Sequence, residues 1–174
     1  MTSMARQKDD WYPTPPVATR RLLDVEVFDE RVWEPAAGDG AICEVLRAAC
    51  YNVVASDLVD YGYCDSGVDF LMTTRAESNS LVTNPPYKLA EQFIKHAIDL
   101  GVGKHAWLLR LSFLEGKGRH DKLFLHHPPS RIHVFSRRLT MWRGGEEPTS
   151  TGTTAYAWFV WSGCYNGATQ LSWI

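Results

Sequence analysis

The sequence predicts an α/β fold: a mostly parallel sheet with helices on both faces, ending in an antiparallel pair. Three observations predict it. Strand-like and helix-like segments alternate through the first two-thirds of the chain, as crossover connections between parallel strands require. The segments 131–136 and 154–162 both read as strands but are joined by non-helical chain, which returns the second antiparallel. With 174 residues, 45% hydrophobic and 22% charged, the chain suits one soluble domain with one substantial core.

Residues 1–10 are polar and read as loose. Prolines 13, 15 and 16 follow, and Val17, Leu22 and Leu23 then have the spacing of a short helix. "RVWEP" (31–35) is a strand cut off by Pro35, "AAGDG" a turn, and 41–50 a compact helix. Residues 52–57 are a strand, and "VDFLM" (68–72) is taken as a third. "SLVT" (80–83) is a buried strand, and 88–101 an amphipathic helix with Gly101 as its stop. Residues 105–114 form a long apolar strand, and 119–127 a helix ended by Pro128-Pro129. Residues 131–136 and 154–162 make the sixth and seventh strands, with 169–174 a further edge strand. The connection 138–153 is polar and Gly-rich, of a length that usually carries function or mobility.

Composition excludes several classes. No apolar run approaches the roughly 20 residues of a membrane span, and the N-terminus lacks a signal-peptide core. Cys43, Cys50, Cys64 and Cys164 are scattered without a C-x-x-C pair, which argues for a reducing cytoplasm and against a disulfide framework or a metal site. The net charge of −2 conceals an asymmetry. Acids dominate residues 22–81, whereas 104–143 carries Lys104, Arg110, Lys117, Arg119, Lys122, Arg131, Arg137, Arg138 and Arg143 against only Glu115 and Asp121. One end can hold a cationic ligand and the other a polyanion, although two solvated faces of opposite sign fit the same numbers.

Ligands of doubly wound sheets bind beyond the carboxyl ends of the strands. "EPAAGDG" (34–40) follows the first strand there, and Gly38 and Gly40 let backbone approach a ligand closely. Glu34 and Asp39 make this turn a poor phosphate cradle and suit it to an amine or a sulfonium. Asp57 ends the second strand, where an acid can accept two ribose hydroxyls or simply cap a turn. Asp69-Phe70 offers an acceptor for an adenine amino group and a ring for its face. The description is of a nucleoside with a cationic, amino-acid-like tail and no phosphates, and S-adenosylmethionine fits it.

With these residues in view, the chain resembles the class I S-adenosylmethionine-dependent methyltransferases. Within them it is similar to the enzymes that methylate the adenine amino group in DNA, especially the compact kind found in phages. The resemblance rests on Thr14-Pro15-Pro16 ahead of the first strand, the Gly-rich turn behind Glu34-Pro35, and Asn84-Pro85-Pro86-Tyr87 after a buried strand. Average composition gives an Asn-Pro-Pro-Tyr in such a chain a chance of about 10⁻³. The resemblance implies a Rossmann-like, seven-stranded fold and S-adenosylmethionine as cofactor, with no metal. It implies a cofactor site of Tyr12, Thr14, Pro15, Glu34, Pro35, Ala36, Ala37, Gly38, Asp39, Gly40, Asp57, Leu58, Asp69, Phe70 and Asn84.

It also implies a chemistry. The lone pair of an adenine amine is delocalised into the ring. Two acceptors aimed at its hydrogens, the Asn84 side-chain oxygen and the Pro85 carbonyl, localise that pair on nitrogen, and the methyl then moves in line from sulfur. Pro85 and Pro86 fix the carbonyl's direction, and Tyr87 stacks on the base once it has left the duplex. Phe113, Arg137, Arg138, Trp142 and Arg143 are the candidates for substrate contact. The partner expected is nucleic acid, DNA first, with RNA base amines or a protein glutamine amide as alternatives and a non-catalytic binding protein as a third. The resembled enzymes with this motif order carry a target-recognition domain after the catalytic half. Only 87 residues follow Tyr87, so no separate domain of that kind is expected, and a homodimer or a specificity-giving partner is compatible with that.

Overall fold

The computed structural model describes residues 13–141 and 153–174. Tyr12, Trp142, Arg143 and residues 1–10 lie outside the described residues, as does most of the 138–153 connection.

One seven-stranded sheet organises the chain, in the order β2-β1-β3-β4-β6-β5-β7. The strands are β1 Arg31–Glu34, β2 Asn52–Ala55, β3 Ser80–Thr83, β4 Lys104–Arg110, β5 Arg131–Val134, β6 Tyr156–Ser162 and β7 Gln170–Trp173. β1 runs parallel to both β2 and β3, and β3 runs parallel to β4. β6 enters between β4 and β5 antiparallel to both, while β7 lies parallel to β5 at the edge. This is the mixed α/β sheet that the sequence predicts.

Helices cover both faces. α1 (Pro16–Leu23) and α2 (Ala41–Ala48) bring Ala18, Leu22, Ile42 and Leu46 onto Val32, Val82, Leu108 and Trp158. α3 (Ala90–Asp99) packs Phe93, Ile94 and Ala97 on the opposite face with Trp33, Leu81 and Trp107. β3 is buried along its whole length because both faces are covered, which is why "SLVT" shows no polar alternation. Pro16 starts α1 where its missing N–H costs nothing. Gly101, at φ +73°, follows α3 as the stop its position suggested.

Three segments differ from expectation. Residues 68–72 are not a strand: Phe70–Met72 is a 3-10 turn whose first N–H groups are drawn in by the Asp69 carboxylate, which accepts from Leu71 N–H at 2.9 Å. Phe70 instead plugs the core against Trp33, Phe93 and His96. The sheet reaches seven strands through β7. The apolar run 105–114 changes at Arg110, after which Leu111–Leu114 is a 3-10 turn. The helix placed at 119–127 begins as α4 (Lys117–Arg119) and widens to a π-turn over His120–Phe124.

Candidate active site

β1, β2 and β3 are parallel, so the segments that follow them emerge at one rim. There they enclose a cleft of about 280 Å³. Asp39 and the Pro35-Ala36-Ala37 turn come from β1, Asp57 and Leu58 from β2, Asp69 and Phe70 from the 3-10 turn, and Asn84-Pro85-Pro86 from β3. Pro13 and Thr14 close one side. Five separate stretches of sequence thus meet in one cavity.

The turn after β1 is fixed from within. Gly38 (φ +55°) and Gly40 (φ +85°) occupy the left-handed region that favours glycine. The Gly38 N–H donates to Asp57 Oδ2 at 2.9 Å, and Ala37 N–H donates to the Ser56 carbonyl at 3.1 Å. Asp57 Oδ1 accepts from Val59 N–H at 2.8 Å. Asp57 therefore caps two turns at once. It also lines the cleft, and a carboxylate has lone pairs beyond the two so used.

A residue not singled out from sequence holds this turn from outside. The Tyr63 ring lies so close on Gly40 that a Cβ there would stand 2.2 Å from it. Its hydroxyl donates to Glu44 at 2.5 Å and meets Arg47, both on α2. Nothing in the sequence marked Tyr63, because its partners are brought to it only by the fold.

Glu34 ends β1 fully buried. Burial raises its carboxyl well above the ordinary range. The Thr83 hydroxyl and the Ala36 N–H, which donates to Oε1 at 3.2 Å, oppose the rise only in part, and the Asp57 charge adds to it. Oε2 and the Thr83 hydroxyl do not make a well-formed hydrogen bond to each other, although they lie near enough to interact. Burial thus favours the neutral carboxyl, and a nearby cation would oppose that shift.

The cleft's chemistry is one-sided. Asp39, Asp57 and Asp69 supply its charge, Leu58, Val59, Val68 and Leu71 its apolar wall, and among the described residues none of its lining is Lys, Arg or His. Leu58, Val59 and Leu89 are exposed apolar residues of this lining, Leu58 at 59% beside a carboxylate. Such walls fit a nucleoside with a positively charged tail and do not fit a phosphate group.

Asn84 lies between the cleft and the rim. Its Nδ2 donates to the buried Thr14 hydroxyl at 3.0 Å. That bond sets Nδ2 as the end of the amide toward Thr14 and Oδ1 as its accepting end. Thr14 is itself held because Ala18 N–H donates to the Pro15 carbonyl at 2.9 Å, while Trp158 Nε1 donates to the Ala18 carbonyl at 2.8 Å. Tyr87 stands outside the cleft lining, half-buried, with its ring 6.0 Å from that of Tyr156 and the Arg110 guanidinium 4.8 Å from its centroid.

The other candidates fall as follows. Phe70 is 1% accessible, so its ring belongs to the core even though it borders the cleft. Phe113 packs on Phe124 and Phe159 beneath Arg119, away from the cleft lining. Arg137 and Arg138 are exposed and follow the carboxyl end of β5, which points the same way as β4.

The basic region that looks continuous in sequence is split in space. Lys104 and Arg131 open β4 and β5, and so stand at the opposite rim from the cleft. Both are matched there by buried Glu26, Lys104 at 2.6 Å and Arg131 by a paired contact, with His133 donating at 2.8 Å. Arg119 is taken up by the Phe113 and Glu115 carbonyls, each at 2.7 Å. Arg110 ends β4, and Arg137 and Arg138 follow β5, at the rim where the cleft lies.

Among the described residues no cluster of His, Cys, Asp and Glu could hold a metal ion, no helix is long and apolar enough to cross a membrane, and all four cysteines are free thiols.

No family model matches the chain, and no curated protein matches it. Solved structures do. An S-adenosylmethionine-dependent O-methyltransferase from Thermotoga maritima is 17% identical over 97% of this chain and 69% of that one, with a TM-score of 0.52. A predicted O-methyltransferase from Agrobacterium tumefaciens is 15% identical over 86% of this chain and 80% of that one, at 0.53. A chain described as a modification subunit of a type I restriction enzyme from Vibrio vulnificus is 15% identical at 0.56, over 97% of this chain but only 48% of that one. Likeness at these identities is likeness of fold: the chain is built on the Rossmann-like methyltransferase fold, with its acidic cleft at the carboxyl ends of the parallel strands.

Proposed function

We propose that the protein is an S-adenosylmethionine-dependent methyltransferase acting on an exocyclic amine, the N6 of adenine in DNA. One observation carries the reading: Asn84, Pro85 and Pro86 line the same cleft as Asp39, Asp57 and Asp69. The residues suited to activating an amine thus adjoin the residues suited to holding a cationic nucleoside. The methyltransferases that share the fold support the cofactor, and the restriction modification subunit among them supports the DNA substrate.

The chain's own residues have definable tasks. Asp57 accepts from ribose hydroxyls while keeping the glycine turn in place, and Asp69 offers an acceptor beside the adenine edge. Glu34 supplies a negative charge behind the turn when a cationic tail enters. Bound there, the cofactor would supply an electrophilic methyl group on sulfonium. Asn84 Oδ1 and the Pro85 carbonyl accept the two hydrogens of the substrate amine. Both acceptors are positioned in advance, Asn84 by Thr14 and the carbonyl by the stiffness of Pro85-Pro86, so no reorganisation is needed as charge develops. No nucleophilic side chain is required. Tyr87, half-buried and backed by the buried Tyr156 ring, offers an aromatic face just outside for a base removed from its stack.

The test is transfer of tritium from labelled cofactor to duplex DNA, single-stranded DNA, tRNA and protein extract offered side by side. Label in DNA recovered as N6-methyladenine is the expected result. Label confined to RNA, or to protein as methylglutamine, would transfer the same amine chemistry to that substrate, and no label with any of them would leave a binding protein.

A further inference from the structure

Arg110 is the charge that the fold does not account for. It is the single charged residue in the run "HAWLLRLSFL" and closes β4 in register with Tyr156. Its neighbours in type are matched elsewhere: Lys104 and Arg131 by Glu26, Arg119 by two carbonyls. Arg110 has no carboxylate within ion-pairing distance among the described residues, and its Nε is buried there without a hydrogen-bond partner. Its one well-defined contact is the face of Tyr87, 4.8 Å from guanidinium carbon to ring centroid.

A buried guanidinium N–H without an acceptor is unfavourable. Arg119 Nε is likewise without an acceptor, but its Nη1 is committed to two carbonyls, whereas Arg110 has no such anchor among the described residues and an anion at its guanidinium would offset the cost. The topology says which anion. Thr83 pairs with Trp107, so three residues further along each strand bring the Asn84–Tyr87 segment beside Arg110. Anything stacked on Tyr87 would therefore carry its attached groups past Arg110. A planar fork with one face on an aromatic ring and its edge donors available suits a tetrahedral phosphate group.

We propose that Arg110 positions the substrate by binding the phosphate joined to the nucleotide whose base is methylated, while its face holds Tyr87 in the orientation that receives that base. The proposal rests on the amine-methylation reading and assigns that site a phosphodiester substrate. It gives one residue two separable duties: charge for the phosphate, planarity for Tyr87.

Two variants separate them. Arg110→Met keeps bulk and loses both, and Arg110→Lys keeps charge and loses the planar face. Binding of single-stranded oligodeoxyadenylate is followed by fluorescence anisotropy across a salt series. Methyl transfer is measured on the same strand, on deoxyadenosine and on deoxyadenosine monophosphate. Arg110→Met should bind the strand at least tenfold more weakly, with a salt slope shallower by about 0.7 for the lost single-strand phosphate contact. It should also lose the wild-type preference for the monophosphate over the nucleoside. Cofactor affinity, measured by calorimetry, should not change. Arg110→Lys should keep the slope and still turn over at least fivefold more slowly. If Arg110→Met fails to fold, Arg110→Lys together with the wild-type preference for the monophosphate carries the test.

Unchanged affinity, slope and nucleotide preference in Arg110→Met would overturn the phosphate assignment, and wild-type turnover in Arg110→Lys would overturn the role of the planar face. Failure of the underlying reading is seen separately and without any variant, as wild-type protein that labels a protein amide and no nucleic acid.

Discussion

The Asn84 side chain donates to the Thr14 hydroxyl across 3.0 Å, joining two residues 70 positions apart. The bond does more than tie the N-terminal segment to the sheet. It decides which end of the amide faces Thr14. Thr14→Val preserves shape and removes the acceptor, so Asn84 loses its orientation but remains in place. One hydrogen bond of about 0.5–1.5 kcal/mol corresponds to a roughly two- to tenfold loss. The loss should fall on kcat, with the KM for cofactor much less affected, in a tritium-transfer assay. A variant impaired only in cofactor KM would show that Thr14 serves the cofactor instead.

Asp57 binds the glycine turn through Gly38 N–H and its own following loop through Val59 N–H. Asp57→Ala should therefore do two things. It leaves buried donors unpaired, lowering stability by about 1–3 kcal/mol, and it removes the acceptor for ribose hydroxyls, weakening cofactor binding at least tenfold. Denaturant unfolding and calorimetry read the two effects separately. Unchanged cofactor affinity in a destabilised variant would make Asp57 a turn cap alone.

Glu34 makes the opposite trade. Its folded-state carboxyl is raised above the ordinary value of 4.5 by burial, so the folded chain holds this proton more tightly than the unfolded chain. The stability it contributes is present below about pH 4.5 and declines as pH rises from there toward the folded value. Glu34→Gln should flatten that decline and raise the melting temperature of the ligand-free protein at neutral pH. It should also shrink the further rise that S-adenosylmethionine produces. Thermal melts from pH 5 to 8, with and without cofactor, measure both, and an equal cofactor-induced shift in the two proteins would remove Glu34 from the site.

Glu26 sits at the other rim with Lys104, Arg131 and His133 around it. Burial raises its carboxyl, but hydrogen bonds from His133, Arg131 and Lys104 prevail and hold it at about 2. The sign is the reverse of Glu34: its stabilisation is complete above about pH 4.5 and is lost as pH falls toward 2. The shift corresponds to roughly 3 kcal/mol. Glu26→Gln should unfold more readily at pH 7 and show a weaker acid dependence between pH 4.5 and 2, while cofactor affinity stays the same. Acid titration followed by circular dichroism would reveal a matching curve for both proteins if the network contributed nothing.

The parts of this molecule that were legible in sequence are those whose physics is local. Pro16 and Gly101 mark helix ends because their own backbone preferences do so. β3 reads as buried because every residue of "SLVT" is small or apolar enough to be covered on both faces. The Asn84–Tyr87 turn is legible because two prolines restrict it whatever surrounds it. What was misread depends on distant partners. "VDFLM" has strand composition, but Phe70 is worth more to the core against Trp33 and Phe93 than in a ladder, and Asp69 supplies the cap that makes the turn. The basic block from 104 to 143 is one region only along the chain, since Lys104 and Arg131 begin their strands, whereas Arg110 ends its own and Arg137 and Arg138 follow β5. Arg110 left a signal, a lone charge inside an apolar strand, whereas Tyr63 over Gly40 left none.

The central claim is that Asn84 activates a substrate amine. Asn84→Ala, compared with wild type for cofactor binding by calorimetry and for single-turnover methyl transfer to DNA, tests it most directly. The account predicts cofactor affinity within a few-fold of wild type and transfer slowed by about 10²-fold or more, the cost of removing one preorganised transition-state contact. Wild-type transfer rates in a folded Asn84→Ala protein would contradict it.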